Sequence, residues 1–237
     1  MTSASPAKAG QHVLAGCLVL LLAAPASAHH SAAAKYDAAA PLTLTGRVAT
    51  FAWRNPHCFL YIDVDAGVFH VYSHCVWAAS ALFRDDEDRM TFLRELALTT
   101  ARTGWTCVSY CLMTTHYHLI LDVAEGVLPK GMQSLGFRYA SSFNIRHAMK
   151  GHVHGRRYGA RRIVDEDDLF GRFKYVARNP VEAGLCSTAE EWPWSSYAAS
   201  VGLAKPASFV DPSLVLRCFP DPLEHARAAL RRFVGNP

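Results

Sequence analysis

The chain has 237 residues, of which 51% are hydrophobic, and its formal net charge is +4. A chain of this length and apolar content is expected to bury one full core together with a small appendage. Its seven cysteines include no C-x-x-C pair, and their density excludes a disulfide scaffold. The small net charge does not by itself indicate any class of partner.

The first 28 residues resemble a secretory signal peptide. Lys8 precedes an apolar stretch from Val13 to Ala24, which is followed by Ala26-Ser27-Ala28. The apolar stretch is too short to cross a bilayer stably, so no stable membrane span is expected. The N-terminus therefore predicts export of the chain.

Two strands are predicted next, at 42–53 and 58–64, with a turn at Asn55-Pro56 between them. Such a hairpin is marginally stable alone. Residues 28–65 resemble the beginning of a small secreted family of unknown function, through Ala28-His29-His30-Ser31, Leu42-Thr43-Leu44-Thr45-Gly46 and Trp53-Arg54-Asn55-Pro56-His57. Its histidines at 29, 30 and 57 are either surface histidines or metal ligands.

The region from 68 to 148 predicts a β-α-β-β-α order. Strands are expected at 68–76, 105–113 and 116–123, and helices at 85–103 and 128–148. This order is typical of an α+β fold, in which an antiparallel sheet carries helices on one face and a catalytic surface on the other.

The third of these strands contains His116-Tyr117-His118. Side chains alternate along a strand, so the two histidines point to one face while Tyr117 and Leu119 point to the other. Two imidazoles on one face either clamp a divalent metal or are ordinary half-exposed histidines. A second motif, His152-Val153-His154, is flanked by glycines and followed by arginines, which favours a loop near phosphate.

Basic residues dominate the segment that follows. From Lys130 to Val164 the chain has eight basic residues and no acidic one: Lys130, Arg138, Arg146, Lys150, Arg156, Arg157, Arg161 and Arg162. Aromatic residues are interleaved with them, as in surfaces that contact phosphates and stack bases. The alternative is a solvated basic loop.

A helix is predicted from the N-cap Asp165 to a stop at Asn179-Pro180. Leu169, Phe173 and Val176 form its packing stripe. Tyr175 projects away from that stripe, and Asn179 lies one turn later on nearly the same line. The helix thus offers a phenol and an amide oxygen side by side on a free flank.

Tyr175 is either a boundary tyrosine or a nucleophile. Tyr139 is the competing nucleophile, but it shares a helical stripe with Met132, Leu135 and Phe143, which favours a place in the core. Tyr175 is therefore the preferred nucleophile.

Residues 67–203 resemble the REP-associated tyrosine transposases, within the single-tyrosine HUH transposases of small insertion sequences. The resemblance is carried by Gly67-Val68-Phe69-His70-Val71, Phe83-Arg84-Asp85-Asp86-Glu87-Asp88-Arg89, Tyr110-Cys111-Leu112-Met113, His116-Tyr117-His118-Leu119, Arg138-Tyr139-Ala140, Phe143-Asn144, Val164-Asp165-Glu166-Asp167, Asn179-Pro180-Val181, Ala183-Gly184-Leu185 and Trp192-Pro193-Trp194-Ser195-Ser196-Tyr197. The chain departs from the family pattern at Thr114-Thr115, where Pro-Asn is common.

The resemblance implies a ferredoxin-like fold and a DNA transposase. His116, His118 and Asn179 would hold Mg²⁺ or Mn²⁺, and Tyr175 would cleave and rejoin single-stranded or hairpin DNA through a 5′-phosphotyrosine. A homodimer is also implied. The alternatives are a catalytically inactive DNA-binding derivative and an exported metal-binding protein.

Four segments are therefore predicted: a signal-like segment at 1–28, a truncated β segment at 29–66, the transposase domain at 67–203, and a C-terminal tail with a basic helix at 204–237. The seam between the two resemblances is expected near Asp65–Val68. The signal-like segment predicts export, whereas transposition takes place in the cytoplasm, so the sequence gives two conflicting locations.

Overall fold

The structure, a computed structural model, describes residues 46–54, 57–64, 66–75, 81–155 and 157–235, which all fall in one compact unit, Leu42–Pro237. The signal-like segment, His29, His30 and Arg156 lie outside the described residues, and of His57 only the backbone is described. Within these ranges, no helix combines the length and apolar character that crossing a membrane requires.

An antiparallel hairpin of β1 (Gly46–Arg54) and β2 (His57–Val64) forms a two-stranded sheet of its own. The pairing shifts register between Val48 and Thr50. Phe51 and Trp53 on β1 are exposed, with 58% and 72% of their surface accessible. The two strands expected before residue 65 are confirmed.

A second sheet contains β3 (Gly67–His74), β4 (Thr106–Leu112), β5 (His116–Val123) and β6 (Gly159–Arg162). The strands are antiparallel in the order β4-β5-β3-β6. Helix α1 (Asp86–Thr103) follows β3, α2 (Leu128–Arg146) follows β5, and α3 (Glu166–Glu182) follows β6. A β-α-β-β-α-β chain with its first and third strands in the centre is the ferredoxin-like arrangement, so the predicted fold class is confirmed.

Strand β6 corrects one expectation, because the sequence predicts no strand in the basic segment between α2 and α3, whereas Gly159–Arg162 pairs with β3. Gly159 makes the pairing with β3 possible, since a Cβ at this position would lie 2.4 Å from Cζ of the Tyr72 ring. Ala160 then points into the core, at 7% exposure, and Arg161 pairs with His70 on the opposite face. The fourth strand thus brings part of the basic segment onto the sheet.

Helices α1 and α2 cover one face of this sheet. Tyr117, Leu119 and Leu121 of β5 point to that face, and all are at most 1% exposed. Their partners in the same cluster come from both helices and include Phe92, Leu96, Met132, Leu135 and Tyr139. The predicted alternation along β5 is confirmed, because the even-numbered Ile120 belongs to a different cluster on the other face.

Helix α3 lies on that other face. Its N-cap is Asp165, whose side chain accepts a hydrogen bond from the Asp168 backbone N–H, and its stripe of Leu169, Phe173 and Val176 is buried as expected. The expected stop at Pro180 is wrong, because the helix continues to Glu182. Pro180 is buried inside the helix, although its nitrogen cannot donate a helical hydrogen bond and its ring crowds the preceding turn. Asn179 therefore lies inside the helix and not at its end.

The remaining chain packs around α3. It contains a 3₁₀ turn (Ala189–Glu191) and the helices α4 (Tyr197–Ser200), α5 (Ser213–Leu216) and α6 (Leu223–Gly235). Tyr197, Val215 and Leu230 join the cluster of Phe173 and Val176. These contacts fix α3 against the sheet, and therefore fix the position of the side chains on its other flank.

Two glycines of α2 give a matched test of this packing. A Cβ at Gly131 would lie 2.1 Å from the buried Trp105 ring, whereas one at Gly136 would meet only the His154 ring at 3.9 Å. We expect Gly131→Ala to destabilise the fold by about 1–3 kcal/mol and Gly136→Ala to stabilise it by about 0.5–1 kcal/mol through helix propensity. Urea unfolding measures both, and equal effects would contradict the close contact between α2 and Trp105.

Candidate active site

The candidate site lies where β3, β5 and α3 meet. The register pairs His70 with Ile120, Tyr72 with His118 and His74 with His116. These side chains share the face of the sheet opposite to Tyr117 and Leu119. Across from them, α3 presents Tyr175 and Asn179 on adjacent turns. Residues that are about sixty positions apart in the sequence are thus brought into contact.

His118 is the buried member of the pair, with 3% of its surface accessible. Its Nδ1 lies 3.0 Å from Nε2 of His70, while its Nε2 is buried without a hydrogen-bond partner within the described ranges. Burial, followed by the charges of His70, His116 and His74, lowers the pKa of His118 to about 2. The imidazole is therefore neutral at physiological pH.

His116 lies nearer the surface and contacts the tyrosine helix directly. Its Nε2 is 3.3 Å from Oδ1 of Asn179, and its Nδ1 is 3.0 Å from the Thr115 hydroxyl. Burial lowers its pKa, although the Asn179 contact acts in the opposite direction. Thr115, one of the two residues that depart from the family pattern, thus holds the His116 ring.

Tyr175 completes the cluster. Its ring centroid is 5.3 Å from that of His118 and 5.9 Å from that of His70, with both rings edge-on. Tyr175 is 40% exposed, so part of the residue is open to solvent. The phenol, the histidine pair and Asn179 therefore form one site.

The donors at this site suit a small divalent cation. Among the described residues, no group of three or more His, Cys, Asp or Glu side chains could hold a metal ion. The donor atoms at this site form a different kind of group, because they combine two imidazole nitrogens with the amide oxygen of Asn179. Nε2 of His118, which is buried and has no hydrogen-bond partner in the part of the chain that the structure describes, best fits a ligand position. Imidazole nitrogens and carbonyl oxygens both bind first-row divalent metals.

Two arginines flank the site and share one carboxylate. Arg161 lies opposite His70 in the β-ladder. Its Nη2 is 3.1 Å from Asp168 Oδ1, and Arg172 Nε is 3.4 Å from the same oxygen. Asp168, Arg172, Tyr175 and Asn179 follow one another at spacings of three and four, on one side of α3. Asp168 thus holds two guanidinium groups beside the tyrosine.

The sequence missed two of these groups. Arg172 lies outside the basic segment, and His70 was noted only as part of a motif. A usable signal for Arg172 was its spacing of three residues before Tyr175. For His70 the sequence carries no such signal, because its contact with His118 depends on the register of β3 against β5.

The other residues of the basic segment lie in several different surroundings. Arg146 donates to the carboxylates of Asp85 and Asp88 at 2.7 and 2.6 Å, and Arg138 lies 3.6 Å from Glu95 Oε2. Both arginines belong to α2, on the face of the sheet opposite to Tyr175. Arg162 donates to the Ala66 carbonyl at 3.2 Å, and Lys130, Lys150 and Arg157 are exposed.

The second H-x-H motif (His152-Val153-His154) and the competing nucleophile Tyr139 both lie away from the site. The His154 ring packs near Tyr117 and Tyr139, on the α1 and α2 side, and His152 is exposed. Tyr139 is fully buried, and its hydroxyl donates to the Leu82 carbonyl. The structure therefore confirms the core position expected for Tyr139.

Substitutions of Arg161 and Arg146 should affect different quantities, DNA affinity in the first case and stability in the second. Because Arg161 flanks Tyr175, we expect Arg161→Gln to weaken binding of hairpin DNA and to lower the slope of log affinity against log salt by about 1. Arg146→Gln should leave that slope unchanged and lower the midpoint of urea unfolding, because it removes the link between α1 and α2. Fluorescence anisotropy across a salt series separates them, and a larger loss of affinity in Arg146→Gln would move the DNA contact to α2.

Comparisons with known proteins agree with this geometry at the level of the fold. A family model described as a family of unknown function (DUF6152) matches residues 17–88, a range that passes the predicted seam and includes β3. No curated protein matches the chain. The solved structure of a REP-associated tyrosine transposase bound to a REP hairpin matches with a TM-score of 0.53 and 14% identity, over 65% of this chain and 93% of that chain. The chain is therefore similar in fold to a transposase that binds a DNA hairpin.

Proposed function

We propose that the chain cleaves and rejoins single-stranded or hairpin DNA through a covalent bond to Tyr175. The observation that carries the proposal is the convergence of the Tyr175 ring with the histidine pair, 5.3 Å between the ring centroids of Tyr175 and His118. An exposed phenol beside two neutral imidazoles suits attack on a phosphodiester better than a role in packing. The fold shared with a hairpin-binding transposase supports the same substrate class.

Three side chains would hold the cation. His116 and His118 would bind through Nε2 and Asn179 through Oδ1, because His116 Nε2 and Asn179 Oδ1 already lie 3.3 Å apart. His118 Nε2 is buried without a hydrogen-bond partner among the described residues. When bound, Mg²⁺ or Mn²⁺ would offset the negative charge that develops on the non-bridging oxygens of the phosphate. Imidazole and amide donors favour Mn²⁺ somewhat more than an all-oxygen site would.

The protein's own groups perform the transfer. Oη of Tyr175 attacks phosphorus and loses its proton to water, which reaches the half-exposed hydroxyl. The bond from phosphorus to the 3′-oxygen breaks, and that oxygen takes up a proton to become a free 3′-OH. One phosphate ester replaces another, so rejoining by attack of a 3′-OH needs no external energy source. Arg161 and Arg172 contact the DNA phosphates beside the tyrosine.

The test is a covalent adduct between the full chain and hairpin DNA. With Mn²⁺, a species that survives denaturation should carry both protein and the 5′ end of the cut strand, and a chelator should prevent its formation. Hairpin binding without any adduct would instead indicate the second candidate, an inactive DNA-binding derivative. Failure to bind hairpin or single-stranded DNA at all would overturn both.

Location and assembly belong to the same proposal. Cleavage of chromosomal DNA requires a protein in the cytoplasm. The signal-like segment instead predicts export, which would agree with the alternative of an exported metal-binding protein. A fusion of residues 1–66 to a reporter that is active only outside the cytoplasm decides between them. The homodimer is likewise a proposal, which analytical ultracentrifugation tests.

A further inference from the structure

His70 contacts the histidine pair from the neighbouring strand. It is 4% exposed, and its Nε2 lies 3.0 Å from Nδ1 of His118. The two rings are stacked, with 5.1 Å between centroids and 27° between planes. His70 pairs in register with Ile120, two residues from His118, so the imidazoles are diagonal neighbours on one face of the sheet.

The hydrogen bond between these rings holds one proton, and its position determines the state of the His118 nitrogens. If His70 donated that proton, neutral His118 would carry its own proton on Nε2. This would be a buried N–H without an acceptor among the described residues. Buried N–H groups are rarely left unpaired, because they lose water and gain no partner. Donation from His118 Nδ1–H to His70 Nε2 removes that unpaired N–H and leaves a lone pair on Nε2 of His118, which a bound cation can satisfy.

We propose that His70 is a positioning residue, which accepts the Nδ1 proton of His118 and so fixes the tautomer and ring orientation in which Nε2 can bind a cation. This inference rests on the proposed function, in which His118 is one of the metal-holding groups. Partners that hold the second nitrogen of a ligating histidine set its orientation, and their loss weakens metal binding by about 10- to 100-fold.

The tautomer of His118 can be measured without metal, DNA or turnover. Long-range proton–nitrogen NMR of the full chain, labelled with ¹⁵N-histidine, shows which ring nitrogen carries hydrogen. Wild-type His118 should be protonated on Nδ1. In His70→Ala the Nε2–H form should become the major one, and the Mn²⁺ dissociation constant should rise by about 10- to 100-fold. His70→Gln, whose amide oxygen can accept the same proton, should restore the Nδ1–H form.

Each outcome either supports or overturns the proposed role of His70. An Nε2–H form of His118 in the wild type overturns the proposal, and so does a folded His70→Ala variant with an unchanged tautomer. The wild-type spectrum is decisive even if the alanine variant fails to fold. His152→Ala is the matched control, because His152 is exposed and should change neither quantity. Failure of the proposed function looks different: the expected tautomer is present, but no DNA adduct forms.

Discussion

Tyr175→Phe should abolish the covalent adduct with hairpin DNA, a loss of about 1,000-fold or more. The substitution removes only the hydroxyl oxygen. Helix α3 contains no Ser, Thr, Cys or second Tyr that could act as the nucleophile instead. Because Tyr175 is 40% exposed, the free energy of unfolding should change by less than about 0.5 kcal/mol. Hairpin affinity should remain within a few-fold of wild type. A denaturing gel measures the adduct, and urea unfolding and anisotropy measure the other two quantities.

Tyr158→Phe provides the control for this experiment. Tyr158 packs against the core cluster on the α1 and α2 side of the sheet, so its hydroxyl is away from the site. This variant should form the adduct at the wild-type rate. Persistence of the adduct in Tyr175→Phe would assign the nucleophile to another residue.

His118→Ala should have the second largest effect. It removes the buried imidazole that contacts both Tyr175 and His70. We expect the rate of adduct formation at saturating Mn²⁺ to fall by about 100- to 1,000-fold, the range typical of losing one group that stabilises developing charge. Hairpin binding in the absence of metal should be preserved, because the proposed phosphate contacts come from Arg161 and Arg172 and not from His118. Stopped time courses in Mn²⁺ measure the rate.

His152→Ala is the matched histidine for this measurement, since it belongs to the second H-x-H motif and is exposed. It should leave the rate unchanged. Equal losses in His118→Ala and His152→Ala would show that the motif on β5 has no special role. A normal rate in a folded His118→Ala variant would remove His118 from the metal-holding set.

The part of the candidate site that depends only on the periodicity of a strand or a helix could be predicted from the sequence. Alternation along β5 puts His116 and His118 on one face, and helical spacing puts Tyr175 and Asn179 on one line. Both patterns depend on neighbouring residues, and the structure shows both. The N-cap at Asp165 is of the same local kind, because a short polar side chain before an acidic first turn is sufficient to indicate it.

Features that depend on distant pairing were not predicted. β6 has only four residues, and it becomes a strand because the edge of β3 is available and Gly159 lets the backbone approach Tyr72. His70 contacts His118 because of the register in which β3 pairs with β5. The sequence of β3 alone does not determine that register. In both places the decisive contact joins residues from separate elements.

The pairing of the basic residues depends on the fold for a related reason. The segment from Lys130 to Val164 contains no acidic residue, but Arg146 pairs with the carboxylates of Asp85, the N-cap of α1, and of Asp88 on α1. Arg172 lies outside that segment and yet faces the site beside Arg161. A run of basic residues in the sequence is therefore not necessarily a single basic surface, because the fold decides which of these charges pair with carboxylates.

Mass spectrometry of the DNA adduct tests the central claim most directly. After digestion with protease and nuclease, the peptide that contains Tyr175 should carry a nucleotide through a 5′-phosphate on the phenolic oxygen. The amount of this peptide should require Mn²⁺. Attachment to any other residue, such as the neighbouring Tyr72, or linkage through a 3′-phosphate, would contradict the account.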